Sequence, residues 1–397
     1  MRPAIVLACA AVAALPAPAQ TPFRSAPPFR LERDLVIDGS AEDWTIIGAM
    51  VVAPDGQMAI LQPQDHRVLV YAPSGKLQYR FGRKGAGPGE FERLWINAGW
   101  VADTLWVYDD SHRRITMITP AGRLARQVTL PSIVTPATAH APPMRFTPAP
   151  RAVLGTGEIL VRTSVEHGFD STTGVVAPTS PRLSIASADG SIRRHVVELP
   201  PDSGWWEIRR GSIRGGGIPL VASPLEHVAH DGRTIATLVT QFASRTQGTF
   251  RIVTLATTGD TLFNRAYEFE GTPIAKSDVD RYTAIGEGRT VDNKAIQRPN
   301  DVETIIARLI RERMPAVYPP IRWLTLGTDG SVWVTPWIPG IPATESPRVL
   351  LDAKGNPIAS VVIPKGSWFR AVSRTHLWVT IGNADGLQNV VRYRLVR

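Results

Sequence analysis

The chain has 397 residues and a formal net charge of +9, carried by 44 Lys plus Arg against 35 Asp plus Glu, with a single cysteine. One cysteine excludes an internal disulfide and a thiolate metal cluster. The basic excess would suit nucleic acid, but only six residues are Lys and the Arg residues are dispersed rather than run together, so the composition argues against a nucleic-acid partner.

Residues 1–19, MRPAIVLACAAVAALPAPA, place one basic residue before an apolar run that ends in an Ala-x-Ala pattern at Ala17 and Ala19. This is the pattern of a secretory signal peptide, with the mature chain starting near Gln20, so the expectation is an exported, periplasmic or extracellular protein. A lipoprotein signal at Cys9 is disfavoured because too few residues precede it to form the hydrophobic segment. No later stretch approaches ~18 continuous apolar residues, so no membrane span is expected. Removing Arg2 with the leader lowers the formal charge from +9 to +8.

Phe29 to Asp38, FRLERDLVID, reads as an extended segment belonging to no repeat. Asp55 to Phe91 then reads as one complete unit: a turn at Asp55-Gly56, a strand from Met58 to Leu61, a strand from Val68 to Tyr71, a hairpin turn at Ser74-Gly75, a strand from Leu77 to Phe81, and a Gly-rich link from Gly82 to Gly89. Short alternating apolar runs separated by Gly turns indicate an antiparallel meander. The opening turn-strand element returns at Asp103, Thr156, Asp231, Asp329 and Thr375, six times in all, and the closing hairpin returns from Ile115, Leu183, Phe250 and Arg348. A repeat near ~40 to 50 residues predicts a single β-propeller domain over residues 20–397 rather than two or three separate domains. Its sixth copy ends at Arg397 one strand short, so Phe29 to Asp38 is expected to complete it and close the ring.

Between the repeats, Pro131 to Pro150 and Glu166 to Pro181 read as surface connections, as does the stretch holding Trp205-Trp206 and Gly215 to Gly217. The expected exception to β structure is a helical insertion over about 275–320, before the fifth blade. Asn300 to Glu303 fits a capping box, and Val302, Ile305, Ile306, Leu309 and Ile310 share one helical face. That apolar face is expected to lie across one end of the ring.

Two stretches carry a family resemblance. Asp65-His66-Arg67-Val68 with Ser74-Gly75, and Asp110-Ser111-His112-Arg113-Arg114 with Ala121-Gly122, resemble the NHL repeat, in which an Asp, a polar residue and an Arg precede a strand and a Gly turn. The link Phe81 to Phe91 is similar to the connection between the first two blades of bacterial six-bladed NHL-like propellers. The resemblance implies an all-β, six-bladed fold, and it extends to binding scaffolds, lyases and lactonases, so it does not select a function. Metal-dependent relatives place His or carboxylate groups around the central channel. The His residues that could do so are His66, His112, His227, His230 and His376.

Each has a plainer reading. His66 and His112 fall at the polar turn position of the repeat, next to Arg67 and Arg113, where turn stabilisation accounts for them. Glu226-His227 and His230 lack the His-Glu-x-x-His arrangement. The glycines from Gly82 to Gly89 lack a Gly-Lys-Ser/Thr ending, so they suit a tight crossing, which an Arg83–Glu90 pair could fix, better than a phosphate cradle. No Gly-x-Ser-x-Gly elbow is present. The expected function is therefore a monomeric binding or interaction module for a small molecule or protein, with no cofactor and no metal, and with His66, Arg67, His112, Arg113, His227 and His230 as candidate binding residues. The alternative is a lyase or lactonase using a divalent metal in the central channel.

Overall fold

A computed structural model describes residues 23, 25–42, 44, 46–94, 97–135, 144–146, 149–165, 168–170, 172–210, 212–218, 220–286, 301–382 and 386–397. The leader, Cys9 and Asn300 of the expected capping box lie outside them, as do the side chains of Val302 and Glu303.

The chain is nearly all β. Six four-stranded antiparallel meanders follow one another. The first comprises Ala49–Val52, Met58–Gln62, Arg67–Tyr71 and Leu77–Phe81. The second comprises Ala98–Val101, Thr104–Asp109, Arg114–Ile118 and Leu124–Thr129, and the third Ala149–Val153, Ile159–Val165, Ser180–Ala186 and Ile192–Glu198. The fourth holds Leu225–Val228, Thr234–Phe242, Gln247–Ala256 and Thr261–Glu270, and the fifth Ile321–Leu326, Val332–Pro336, Arg348–Leu351 and Pro357–Val361. In the sixth, Ser367–Val372, His376–Gly382 and Gln388–Val396 are joined by Arg30–Ile37, which runs antiparallel to the C-terminal strand with Arg30 opposite Val396 and Ile37 opposite Val390.

Burial within a sheet follows strand position. Second strands are buried over a run of consecutive residues, and Met58–Gln62 at every residue, because neighbouring sheets cover both faces. Fourth strands such as Leu124–Thr129 and Ile192–Glu198 are largely exposed, which is why their sequences turn polar. Six apolar clusters join each sheet to the next, and one of them, with Trp44, Met58 and Tyr71 against Ala371, Trp378 and Val390, joins the sixth sheet back to the first. First strands also lie side by side: Ala49–Val52 touches both Ser367–Val372 and Ala98–Val101, and Leu225–Val228 touches Ile321–Leu326.

A meander puts the turns after first and third strands at one end of each sheet and all other connections at the opposite end. At the turn end, Asx-type bonds such as Asp55 Oδ1 accepting from the Gln57 N–H recur, with Gly56 at φ +90° and Gly330 at +75° filling positions that side chains disfavour. At the connection end sits a seventh four-stranded sheet, built from Phe169–Asp170, Val175–Val176, Trp205–Arg210 and Ser212–Gly217. Two of the three stretches read as loops thus supply strands to each other across the intervening hairpin Ser180–Glu198, and in the third, Pro131 to Pro150, Ile133–Thr135 pairs antiparallel with Met144–Phe146. Their strands are too short, or too rich in Gly and Arg, to show alternation, so only pairing reveals them.

The insertion forms α1 (Lys276–Gly286) and α2 (Asp301–Arg313). Leu309 and Ile310 of α2 are buried. Arg313 donates to the Trp205 carbonyl at 3.0 Å, which ties α2 to the seventh sheet. Tyr318 donates to Asp278 of α1 at 2.6 Å.

Candidate functional site

A cavity of about 250 Å³ is walled by the first strands of the first, second and fourth sheets together with Trp106 and Arg151. Its polar groups come from widely separated positions. Glu226, on the fourth sheet, uses one oxygen, Oε1, for two guanidinium groups of the third: Arg162 Nε at 2.7 Å and Arg151 Nη2 at 3.4 Å. Burial pushes Arg151 below the ordinary arginine value, against the opposing pull of Glu226. Two cations on one carboxylate leave a formal charge of +1.

The second oxygen, Glu226 Oε2, is buried and has no hydrogen-bond partner. Trp106 Nε1, which belongs to the same lining, is also buried and unpartnered. The indole fits because position 99 is glycine: a Cβ there would stand 2.8 Å from Trp106 Nε1 and 2.6 Å from the His230 carbonyl oxygen. Buried polar groups normally find partners, so these two atoms stand out on the cavity, although the indole N–H groups of Trp100 and Trp378 are unpartnered in the same way elsewhere.

His227 and His230 belong to this cavity, and their chemistry is set by backbone groups. His227 Nδ1 accepts the Leu326 N–H at 3.2 Å, and His230 Nδ1 accepts the Val52 N–H at 3.2 Å. The His230 carbonyl also accepts the Trp100 N–H at 2.7 Å, so this residue ties the first, second and fourth sheets. Burial pushes His227 down to about 3, helped by His230 and Arg151, and lowers His230 as well. Both rings are therefore neutral at pH 7 with the proton on Nε2. Neither retains a free lone pair to accept a proton or bind a metal without breaking a backbone bond.

That donor set does not suit a divalent cation. Among the described residues, moreover, no three His, Cys, Asp or Glu side chains converge as a metal site requires.

The other candidates serve the connection end and do not line the cavity. His66 and Arg113 both have φ +52° in the turn before a third strand, which makes Arg113, not His112, the counterpart of His66. Arg67 donates to Gln62 Oε1 at 2.6 Å and pairs with Asp65. His112 Nδ1 lies 2.7 Å from Asp109 Oδ2, and the Asp109 carboxylate also accepts the backbone N–H groups of Glu92 and Arg93. Burial alone would raise the Asp109 carboxyl, but these bonds prevail and hold it below the usual range. Arg113 bonds to Ser132 Oγ. Arg114 donates to the carbonyls of Ala86 and Glu90, and Arg83 pairs with Glu90 at 2.7 Å, fixing the Gly-rich link.

Arg151, Arg162 and Trp106 were not singled out by the sequence, where each is one residue of an ordinary strand. Glu226 beside His227 was the available signal.

No protein-family model matches the chain, and no curated protein matches it. Among solved structures, it is similar to the virginiamycin B lyase of Staphylococcus aureus, solved in a catalytically inactive form with quinupristin, at 14% identity, TM-score 0.40, over 93% of this chain and 100% of that one. A putative exported protein of Bacteroides fragilis matches at 11% identity and TM-score 0.47 over 96% and 98% of the two chains. A DUF4221 protein of Bacteroides vulgatus matches at 9% and 0.47 over 94% and 99%.

Proposed function

We propose that the chain is an exported six-bladed β-propeller of the NHL-like type that acts, as a monomer, as a binding module for a small polar ligand held in the axial cavity. Six shared apolar clusters that return to the first sheet support the blade count. The observation that carries the binding reading is that two residues lining one cavity, Glu226 of the fourth sheet and Trp106 of the second, each hold an idle polar atom, Oε2 and Nε1. A ligand with an O–H or N–H donor and a neighbouring acceptor would satisfy both, and the +1 charge of the Arg151–Glu226–Arg162 cluster favours a neutral or anionic molecule over a cation. Binding is preferred to catalysis because the two histidines at the cavity have no free lone pair for general-base work.

The test is a thermal-shift screen of sugars, amino acids and short peptides against the wild type and Glu226→Gln, with elemental analysis of the purified protein. A ligand that raises the wild-type melting temperature and loses that effect in the variant supports the reading. Ligand-induced shifts that Glu226→Gln leaves intact, or stoichiometric metal with a chelator-sensitive melt, would sink it; the second result would favour the metal-dependent lyase or lactonase.

A further inference from the structure

The seam between the fifth and sixth sheets holds a permanent cation with no counter-ion among the described residues. Arg348, the first residue of its strand, is only 6% exposed. Its Nε and Nη1 are sealed without a hydrogen-bond partner, and it takes part in no ion pair among the described residues, so Nη2 is the one guanidinium nitrogen not shut off in this way. Rings surround it instead: the guanidinium carbon lies 3.9 Å from the centre of Phe369 and 5.7 Å from that of Trp323. Arg322 lies 5.7 Å from the same Trp323 ring and 3.8 Å over Trp337. Trp323 itself is 39% exposed, so part of its indole is open to solvent.

Cation–π contact offsets only part of the cost of burying a charge. Desolvation of a guanidinium costs more than such contact offsets unless an anion or several acceptors compensate. Burial accordingly lowers Arg348 to about 10, with no carboxylate opposing the shift. The missing partner is therefore external, and its shape is constrained. A single accessible nitrogen suits one carboxylate oxygen, whereas a hydrated phosphate dianion demands several donors. The open indole beside it suits a flat apolar ring.

We propose that Arg348 and Trp323 form a second binding site, separate from the axial cavity, for an aromatic monocarboxylate whose carboxylate meets Arg348 Nη2 and whose ring stacks on Trp323. The site does not depend on the ligand reading of the axial cavity.

The test uses 2-naphthoate as probe and naphthalene-2-carboxamide as its neutral isostere, followed by calorimetric titration at millimolar concentration. Arg348→Met keeps the stem and removes a charge without an ion-pair partner, so it should fold as well as the wild type, and melting curves check this. Naphthoate is expected to bind the wild type and to lose at least about tenfold in affinity in Arg348→Met, the loss of one charge-assisted hydrogen bond. Trp323→Ala should also weaken it, the carboxamide should fail to bind, and Glu226→Gln should bind naphthoate as the wild type does. The proposal is overturned if naphthoate does not bind, if Arg348→Met binds it within about twofold, if the carboxamide binds equally well, or if Glu226→Gln abolishes binding. Displacement of naphthoate by equimolar inorganic phosphate would also overturn it, since that would be a general anion site.

Discussion

The two ends of the sheets are built from the same strands and differ in almost everything else. At the turn end, short hairpins repeat, most with a glycine at positive φ such as Gly56, Gly157 and Gly330, and His230 pins three sheets together through one ring nitrogen and one carbonyl. At the connection end lie the Gly-rich link, the seventh sheet, α1 and α2, each different from the next. The turn end spends its polar atoms on its own backbone. In the cavity, Glu226 Oε2 and Trp106 Nε1 have theirs unspent, and in the separate seam between the fifth and sixth sheets so does Arg348. Repetition, in this molecule, marks what holds the sheets together, and the two sites we propose rest on groups outside that repetition.

Three perturbations sharpen that contrast. The largest effect should come from deleting residues 29–38, which removes Arg30–Ile37 and leaves the C-terminal strand as an open edge. Calorimetry should show the melting temperature falling by more than about 10 °C, or no cooperative transition at all; an unchanged melt would mean that the closing strand is dispensable.

Acid should act next, through the buried histidines. The native pKa of His227 is about 3, below its unfolded value, so between pH 6.5 and 3 the unfolded chain binds more protons than the folded one. Stability from the neutral rings is thus complete above about pH 6.5 and is lost as pH falls toward 3. Urea titrations at pH 7.5 and 4.5 should differ by a few kcal/mol, and His227→Gln should narrow the gap. Equal stability at both values would show that the rings are not held neutral by the fold.

Smallest of the three is Gly99→Ala, whose added methyl would meet the His230 carbonyl and the Trp106 indole and should cost about 2 kcal/mol in chemical denaturation. A neutral result would show that the indole is free to move, and would remove Trp106 from the proposed site.

The sequence made the turn end legible because its signals are local. Asp55-Gly56 and Asp329-Gly330 each carry the whole instruction for a hairpin in adjacent residues. The pairing of Arg30–Ile37 with the last strand could also be anticipated, because an incomplete sixth unit and an unclaimed extended segment complement each other. Trp205–Arg210 could not be read as a strand, since its partners Val175–Val176 and Ser212–Gly217 contain too little alternation to mark an edge. Half the candidate site was visible as residue types: His227 and His230 stand out, but not that their Nδ1 atoms already serve Leu326 and Val52. Arg151 and Arg348 were invisible for a different reason. An arginine in a strand reads as a solvent-facing residue, and only the assembled sheets show that it is enclosed.

The pairing of the first strand with the last also governs the order in which the molecule can assemble. Each inner meander can form from neighbouring residues as soon as it is synthesised, but Arg30–Ile37 must wait for a partner, Val390 to Val396, that is made only after all the inner meanders. During that delay it would be a sticky edge if it were apolar. Arg30, Glu32, Arg33 and Asp34 make it a charged edge until Val390 to Val396 arrive, and a charged edge disfavours premature association of the unfinished chain.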